Sequence, residues 1–220
     1  MLAKELIVED LPALKPADTA ELALSWMDEF KVTHLPVVHE GQLSGILSED
    51  DLLDMDDPTS SVNCCNEQWA NTSVFEDQHI FDVVKVVSDH NLTVIPVISN
   101  QQRYLGCTSI NQLMKLIADM PVVSSPGGII VLELNIIDYT LSEIARIVES
   151  NDAKILGSFI TSHPDSTKMQ VTLKINRMDL RPILKTFERF DYSVTASYDL
   201  SDYREDLKER YNLLMNYLNM

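Results

Sequence analysis

The residues of this chain that could do chemistry are an acidic run, five histidines and three cysteines. The acidic run follows Ser48, and its carboxylates could together hold a divalent cation. Its spacing lacks the glycine and the terminal glutamate of an EF-hand loop, and such runs are usually the solvated face of a helix. We favour the solvated face over a metal site; the run consists of Glu49, Asp50, Asp51, Asp54, Asp56 and Asp57.

The histidines do not follow any catalytic spacing. They are scattered, with no His-Glu-x-x-His motif, and the six glycines form neither a Gly-x-Gly-x-x-Gly pattern nor a phosphate-binding P-loop. One enzymatic alternative is a Cys107 nucleophile with a distant histidine, but a strand cysteine is usually a small core residue. His34 falls in a strand and is interpreted as a core or edge residue rather than a base. We predict a non-catalytic protein without an obligatory cofactor or metal.

Cysteine use and charge narrow the class of protein further. Cys64, Cys65 and Cys107 give no even disulfide framework, which favours reduced thiols and a cytoplasmic protein. The first ten residues lack a basic start and no 18-residue apolar run occurs, so we expect neither export nor a membrane span. The net charge of -17 repels phosphate backbones and anionic lipids, which argues against nucleic acid and membrane partners.

The elements that would position these residues are duplicated. Residues 33–38 read Thr-His-Leu-Pro-Val-Val and residues 93–98 read Thr-Val-Ile-Pro-Val-Ile. Each segment follows an amphipathic helical pattern, with N-caps expected at Asp18-Thr19 and Asp77, and each precedes a short apolar strand entered through glycine. Each repeat is therefore predicted as helix, strand, turn, strand and helix. A 60-residue unit buries too little surface alone, so we expect the two to pack together.

The repeats resemble the cystathionine-β-synthase (CBS) domain, which its family usually carries as a tandem pair. The resemblance rests on Pro36 followed by Gly45-Ile46-Leu47-Ser48-Glu49-Asp50-Asp51. It implies that Asp51 accepts hydrogen bonds from ribose hydroxyls and that Ser48, at a helix start, faces a phosphate or its equivalent. The second copy has Pro96 and Ser109 but places Gln112 at the aspartate position. An ordinary helix cap explains Ser48 and its acidic neighbours equally well.

Charge then separates the ligands that the resemblance implies. Residues 1–125 hold 20 acidic and 6 basic side chains, whereas residues 126–220 hold 14 and 11. Few basic groups are thus available to neutralise a triphosphate. We expect AMP, a neutral adenosine or cationic S-adenosylmethionine to bind better than free ATP, and magnesium could allow ATP to bind by bridging it to carboxylates.

The second half of the chain follows a different pattern. A linker is predicted over residues 121–128, then strand, helix, strand, strand, helix and strand, a ferredoxin-like βαββαβ unit over residues 129–200. Thr140 and Glu143 are predicted to form a capping box, and Asp179 to cap the second helix. After a CBS pair this order resembles an ACT domain. Its first turn, Asp138-Tyr139-Thr140-Leu141, lacks the nearby glycine of ACT ligand sites, so we favour a structural or dimerising domain.

The last twenty residues carry one apolar helical stripe. Tyr203, Leu207, Tyr211, Leu214 and Leu218 follow one another at spacings of three or four, which predicts an amphipathic helix over residues 201–220. Such a helix must pack on something, either a second subunit, which we favour, or its own sheet.

The predicted organisation is a mixed α+β and α/β chain with CBS repeats over residues 1–60 and 61–120. Its arrangement resembles accessory proteins of acetoin utilisation. We predict a homodimeric regulatory protein that senses an adenosyl small molecule and acts on an unidentified protein target. The alternatives are a constitutive scaffold with degenerate pockets and a divalent-metal sensor.

Overall fold

The computed structural model describes residues 1–8, 10–162 and 166–198, together with Met215. It divides into two compact units, Met1–Ile117 and Ala118–Met220. The predicted turn at 163–165 lies outside the described residues, as does the predicted tail helix over 201–220 apart from Met215. Within the described part of the chain, no helix has both the length and the apolar character needed to cross a membrane.

The first unit contains the predicted duplication. The first repeat runs α1 (Ala20–Phe30), β1 (His34–His39), β2 (Gln42–Ser48) and α2 (Glu49–Leu53). The second opens with a short strand, β3 (Val74–Phe75), and then runs α3 (Ile80–Asp89), β4 (Val94–Ile98), β5 (Tyr104–Ser109) and α4 (Ile110–Asp119). In both, the paired strands are antiparallel and a register shift follows the same valine, Val37 or Val97. The predicted helix, strand, strand, helix order is therefore confirmed in each repeat.

The start of α3 differs from the prediction. Thr19 caps α1 by accepting a hydrogen bond from the Leu22 amide, as expected. His79, not Asp77, caps α3, because its side chain accepts from the Phe81 amide while Asp82 accepts from the His79 amide. His79 stands 60 residues after Thr19, the same offset that relates the proline segments. The repeat offset therefore predicts this cap better than the usual preference for aspartate.

Each repeat exchanges its opening segment with the other. Residues 2–8 pair with the second repeat, where Leu2 bridges to His79 and Val8 to Cys107. Residues 61–70 pair with the first repeat in the same way, since Ser61 bridges to Thr19 and Ala70 to Ile46. The predicted spans 1–60 and 61–120 thus describe the duplication in sequence, while in space the opening segment of each span lies on the other.

Two equivalent glycines permit this exchange. A Cβ atom at Gly45 would lie 2.7 Å from the Cβ of Trp69, and one at Gly106 would overlap the side chain of Ile7. Gly106 also has a φ of +148°, a value that side chains disfavour. The covering segments can therefore reach the strands only because these positions carry no side chain.

One apolar core spans both repeats. It is built mainly by the first repeat and is joined by Val94 and Cys107 of the second and by Val62 and Cys65 of the exchanged segment. At about 25 cal/mol per Å² of apolar surface, such shared burial stabilises the two repeats as one body. Such sharing is expected from the small size of each repeat.

The second unit is a sheet covered on one face by two helices. Its elements are α5 (Pro121–Ser124), β6 (Gly128–Asn135), α6 (Leu141–Glu149), β7 (Ile155–Ser162), β8 (Lys168–Ile175), α7 (Arg181–Arg189) and β9 (Ser193–Tyr198). The strands are antiparallel in the order β7-β8-β6-β9. Alternating residues such as Leu132 and Val171 are buried against Ile144 and Phe187, which follows from the period of two in the sequence.

Several local details of the second unit differ from those predicted. The predicted linker over 121–128 contains the short helix α5 and the first residue of β6. The predicted capping box is absent, since Thr140 makes no side-chain cap and Glu143 instead accepts a hydrogen bond from the Tyr192 hydroxyl at 3.1 Å. Asp179 accepts from the Arg181 amide at 3.2 Å, although the cap position itself is Leu180.

Candidate functional site

Ser48 and Asp51 meet where β2 runs into α2. The Ser48 hydroxyl donates to Oδ2 of Asp51 at 2.6 Å and accepts from the Asp51 amide at 3.1 Å. The Ser48 amide donates to the same carboxylate oxygen at 3.1 Å. Both residues are half-buried, and together they form the capping box that the helix start favours. Among the described residues, these hydrogen bonds to Asp51 use only Oδ2, so Oδ1 is available to another donor.

Ser109 and Gln112 meet at the equivalent place in the second repeat. The Ser109 hydroxyl oxygen accepts from the Gln112 amide at 3.2 Å. Gln112 therefore takes the backbone part of the cap, while its neutral amide lacks the two equivalent acceptors of a carboxylate. The structure thus brings Ser48 together with Asp51 and Ser109 together with Gln112. Only the first of these pairs contains a carboxylate.

The two predicted prolines are buried inside their strands. Pro36 lies opposite Ile46 and Pro96 opposite Cys107. The carbonyl of Pro36 accepts a hydrogen bond from the Leu14 amide at 2.8 Å. Proline has no amide hydrogen to donate, so each position leaves one ladder hydrogen bond unmade. Their roles as ligand contacts stay predictions.

An acidic cavity of about 350 Å³ opens beside Asp51. Its carboxylates come from Asp51, Asp54, Asp56 and Asp57, and two cysteines, Cys64 and Cys65, also line it. Hydrogen bonds from the hydroxyl and amide of Thr59 hold the pKa of Asp57 below its usual range, so this carboxylate stays charged. Among the described residues, no three His, Cys, Asp or Glu side chains converge as metal ligands do.

A polar junction that sequence reasoning missed joins the two repeats. The Thr33 amide donates to the Thr93 hydroxyl at 2.9 Å, and the Thr93 amide donates to Nδ1 of His34 at 3.3 Å. The hydroxyl oxygens of Thr33 and Thr93 also lie 3.0 Å and 3.1 Å from that nitrogen. Burial holds the pKa of His34 below its usual value, against the opposing charges of Asp51 and Asp50. The signal was present in the sequence, because Thr33 and Thr93 are identical residues at the repeat offset.

A second polar cavity of about 320 Å³ lies in the second unit beside the turn after β6. Its polar groups bind one another. Asp138 accepts from the Asn135 side chain at 2.8 Å, and Glu143 accepts from Tyr192. Burial, and then Glu143, raise the pKa of Tyr192 to about 12. These groups hold the turn in place and keep Tyr192 protonated.

Comparison with known proteins supports the assignment of the first repeat. Residues 3–56 match the family model named CBS domain. Over 114 residues the chain is 23% identical to an inosine-5'-monophosphate dehydrogenase of Methanocaldococcus jannaschii, a match that covers 51% of this chain and 23% of that protein. The chain therefore spans about a quarter of the length of this curated relative.

Solved structures with a similar backbone are distant in sequence. A CBS domain pair/ACT domain protein from Thermotoga maritima is 23% identical with a TM-score of 0.48, covering 54% of this chain and 98% of that one. The CBS domains of a Streptococcus pneumoniae transcriptional regulator are 17% identical with a TM-score of 0.46, covering 52% and 98%. A CBS domain pair in complex with 5'-methylthioadenosine and S-adenosyl-L-methionine is 21% identical with a TM-score of 0.42, covering 54% and 96%.

The family match covers the first repeat's helices, strands and motif. It includes Pro36, Ser48 and Asp51 and ends before the second repeat, whose elements follow the same order in the structure. The resemblance noted in the sequence is thereby confirmed for the first repeat: residues 3–56 match the CBS domain family.

Proposed function

We propose that this chain is a non-catalytic regulatory protein that binds an adenosine-containing ligand beside Asp51. The observation that carries the proposal is the position of the Asp51 carboxylate, half-buried at the edge of a cavity with Oδ1 available. A carboxylate suits the vicinal hydroxyls of a ribose, because the available Oδ1 has two lone pairs and can accept from both hydroxyls. Ser48, bonded to Oδ2, holds the carboxylate in place for that contact.

The charge around the cavity orders the candidate ligands. Four aspartates line it, and α2 has only five residues, so its positive end offers little to a phosphate. Cationic S-adenosylmethionine and neutral adenosines should bind best, AMP less well and free ATP least. Magnesium raises the affinity for ATP by bridging its phosphates to carboxylates.

The proposal gives each chain one strong site rather than two. Gln112 stands where Asp51 stands, and a neutral amide offers the ribose weaker hydrogen bonds than a carboxylate. The second repeat would then have a structural role, because its residues complete the shared apolar core and the polar junction with the first repeat. We also propose that the second unit is ACT-like and forms a homodimer with a second copy of the chain. It would relay the effect of ligand binding to a protein target in the cytoplasm.

Calorimetric titration with S-adenosylmethionine, AMP, and ATP with and without magnesium tests the proposal. Asp51→Ala should weaken the best ligand by about 10-fold to 100-fold, as expected for the loss of hydrogen bonds to a charged group. Asp54→Ala is the matched control, since it removes an exposed carboxylate of the same cavity and should change the affinity by less than about threefold. Equal effects of the two variants would contradict a specific role for Asp51.

A constitutive scaffold is the second candidate function. It is favoured by one observation, that Ser48 and Asp51 already satisfy each other in a capping box. In a scaffold none of the nucleotides would bind, and Asp51→Ala would only lower stability by about 1 kcal/mol through the lost cap. Titration with calcium and magnesium alone tests the remaining alternative, a metal sensor that uses the acidic cavity.

A further inference from the structure

We propose that His34 is a proton-sensitive connection between the two repeats, intact only while its imidazole ring is neutral. The proposal does not depend on any ligand, because it concerns hydrogen bonds between residues of the chain itself. Its basis is the chain of contacts from the Thr33 amide to the Thr93 hydroxyl and on to Nδ1 of His34. Nδ1 is also where the Thr93 amide points, at 3.3 Å.

The geometry requires a particular tautomer of His34. A backbone amide can only donate, so the nitrogen that it faces must carry a lone pair. The Thr93 hydroxyl accepts from the Thr33 amide, which leaves its hydrogen free to turn toward the same nitrogen. The ring is therefore neutral, with its hydrogen on Nε2. A proton on Nδ1 could be accepted by the hydroxyl oxygen of Thr33 or Thr93, but it would leave the Thr93 amide without its acceptor.

The surroundings of the ring oppose its protonation. His34 is half-buried in β1, and desolvation outweighs the attraction of the charged groups that act on it, Asp51 and Asp50 at the start of α2. It is paired with Ser48 of β2, and its Nδ1 contacts the hydroxyls of Thr33 and of Thr93 in the second repeat. None of these three side chains titrates near neutral pH.

The contact exists on one side of the junction only. Val94 occupies the position of His34 in the second repeat, so the second repeat offers no equivalent acceptor to Thr33. The Thr33 and Thr93 carbonyls each accept from the first amide of a following helix, at Glu49 and Ile110. A change at His34 therefore reaches the starts of α2 and α4 through these two threonines.

The sign of the pH dependence follows from the lowered pKa. The unfolded chain has an ordinary histidine pKa of about 6.5, above that of the folded protein, so below that pH unfolding takes up a proton. The stability that the contact supplies is complete above about pH 6.5 and is lost as the pH falls toward the folded-state pKa. The junction loosens in acid and closes at neutral pH.

Nuclear magnetic resonance of the full chain tests the proposal. Long-range imidazole spectra at about pH 7.5 should place the His34 hydrogen on Nε2, and titration to about pH 5.5 should give a pKa below the ordinary 6.5. The Thr93 amide should shift with the same midpoint, and its hydrogen-exchange protection factor should fall about fivefold as one hydrogen bond is lost. A hydrogen on Nδ1 at neutral pH, or a Thr93 amide that ignores the titration of His34, would overturn the proposal.

Two variants separate the junction from general effects of acid. In His34→Asn the side-chain oxygen occupies the position of Nδ1 and does not titrate, so the Thr93 amide should stay protected across the range. His39→Asn removes an exposed histidine at the other end of β1, and there Thr93 should follow pH as in the parent chain. If His34→Asn leaves the pH response of Thr93 unchanged, His34 is not the sensor.

Discussion

The two repeats of the first unit fold alike, and they differ at the places where each one ends its second strand. Asp51, His34 and Leu47 of the first repeat correspond to Gln112, Val94 and Thr108 of the second. The backbone register, the glycines and the exchanged segments are kept in both. Backbone pairing is therefore common to both repeats and maintains the duplicated fold. The side chains around the junction differ, and only the first repeat has a carboxylate, Asp51, and a titratable ring, His34, at these positions.

The exchanged segments carry the largest expected effect on this comparison. Leu6 is 1% exposed where residues 2–8 cover the second repeat, and Cys65 is 8% exposed at the equivalent place in the first. Leu6→Ala should lower the free energy of unfolding by about 3 kcal/mol, whereas Cys65→Ala should cost about 1 kcal/mol because fewer buried atoms are removed. Urea unfolding of the full chain measures both. A loss below about 1 kcal/mol for Leu6→Ala would mean that the segment is not part of the core.

Gln112→Asp tests the proposal that the second repeat binds the ligand more weakly because it lacks the carboxylate of the first. The substitution gives the second repeat the carboxylate of the first, so the best ligand should show a second binding event. Its affinity for the second repeat should be at least about tenfold above that of the same repeat with Gln112. Calorimetric stoichiometry is the readout, and Asn111→Asp is the control because it adds the same charge one residue away. A stoichiometry that rises equally in both variants would show that charge alone, without position, draws the ligand.

The smallest predicted effect concerns a buried hydroxyl. Thr108 is fully buried, and its side-chain oxygen has no hydrogen-bond partner among the described residues, whereas Leu47 fills the equivalent position with an apolar side chain. Thr108→Val should stabilise the chain by about 1 kcal/mol, because it removes an unsatisfied polar group at nearly constant volume. Thr172→Val, on a half-buried strand position of the second unit, is the control. Destabilisation by Thr108→Val would reveal a partner for the hydroxyl.

Much of this architecture can be predicted from the sequence. The 60-residue offset gives both repeats, and alternation along β8 gives a strand with one buried face, because these patterns depend on local periodicity. The Ser48 and Asp51 pair follows from the helix start. The general preference for aspartate predicts Asp77 as the cap of α3, but the cap is His79, the residue that the repeat offset indicates.

The rest depends on contacts between distant parts of the chain. Nothing in the periodicity of residues 2–8 tells which repeat they cover, since both repeats present the same strand edge. The His34 junction required knowing how the repeats meet. Glu143 does not form the predicted capping box, and its side chain accepts instead from the hydroxyl of Tyr192, 49 residues away in the sequence. Local patterns therefore predict the elements, and only the tertiary structure decides how their polar groups pair.

The exchange of opening segments also constrains how the chain can be made. During synthesis residues 2–8 leave the ribosome well before β5, the strand whose Cys107 pairs with Val8. Closing so long a loop is slow compared with forming local contacts. Val8 must therefore stay unpaired until β5 emerges, and a fragment that stops before β5 would leave the end of this apolar segment without its partner strand.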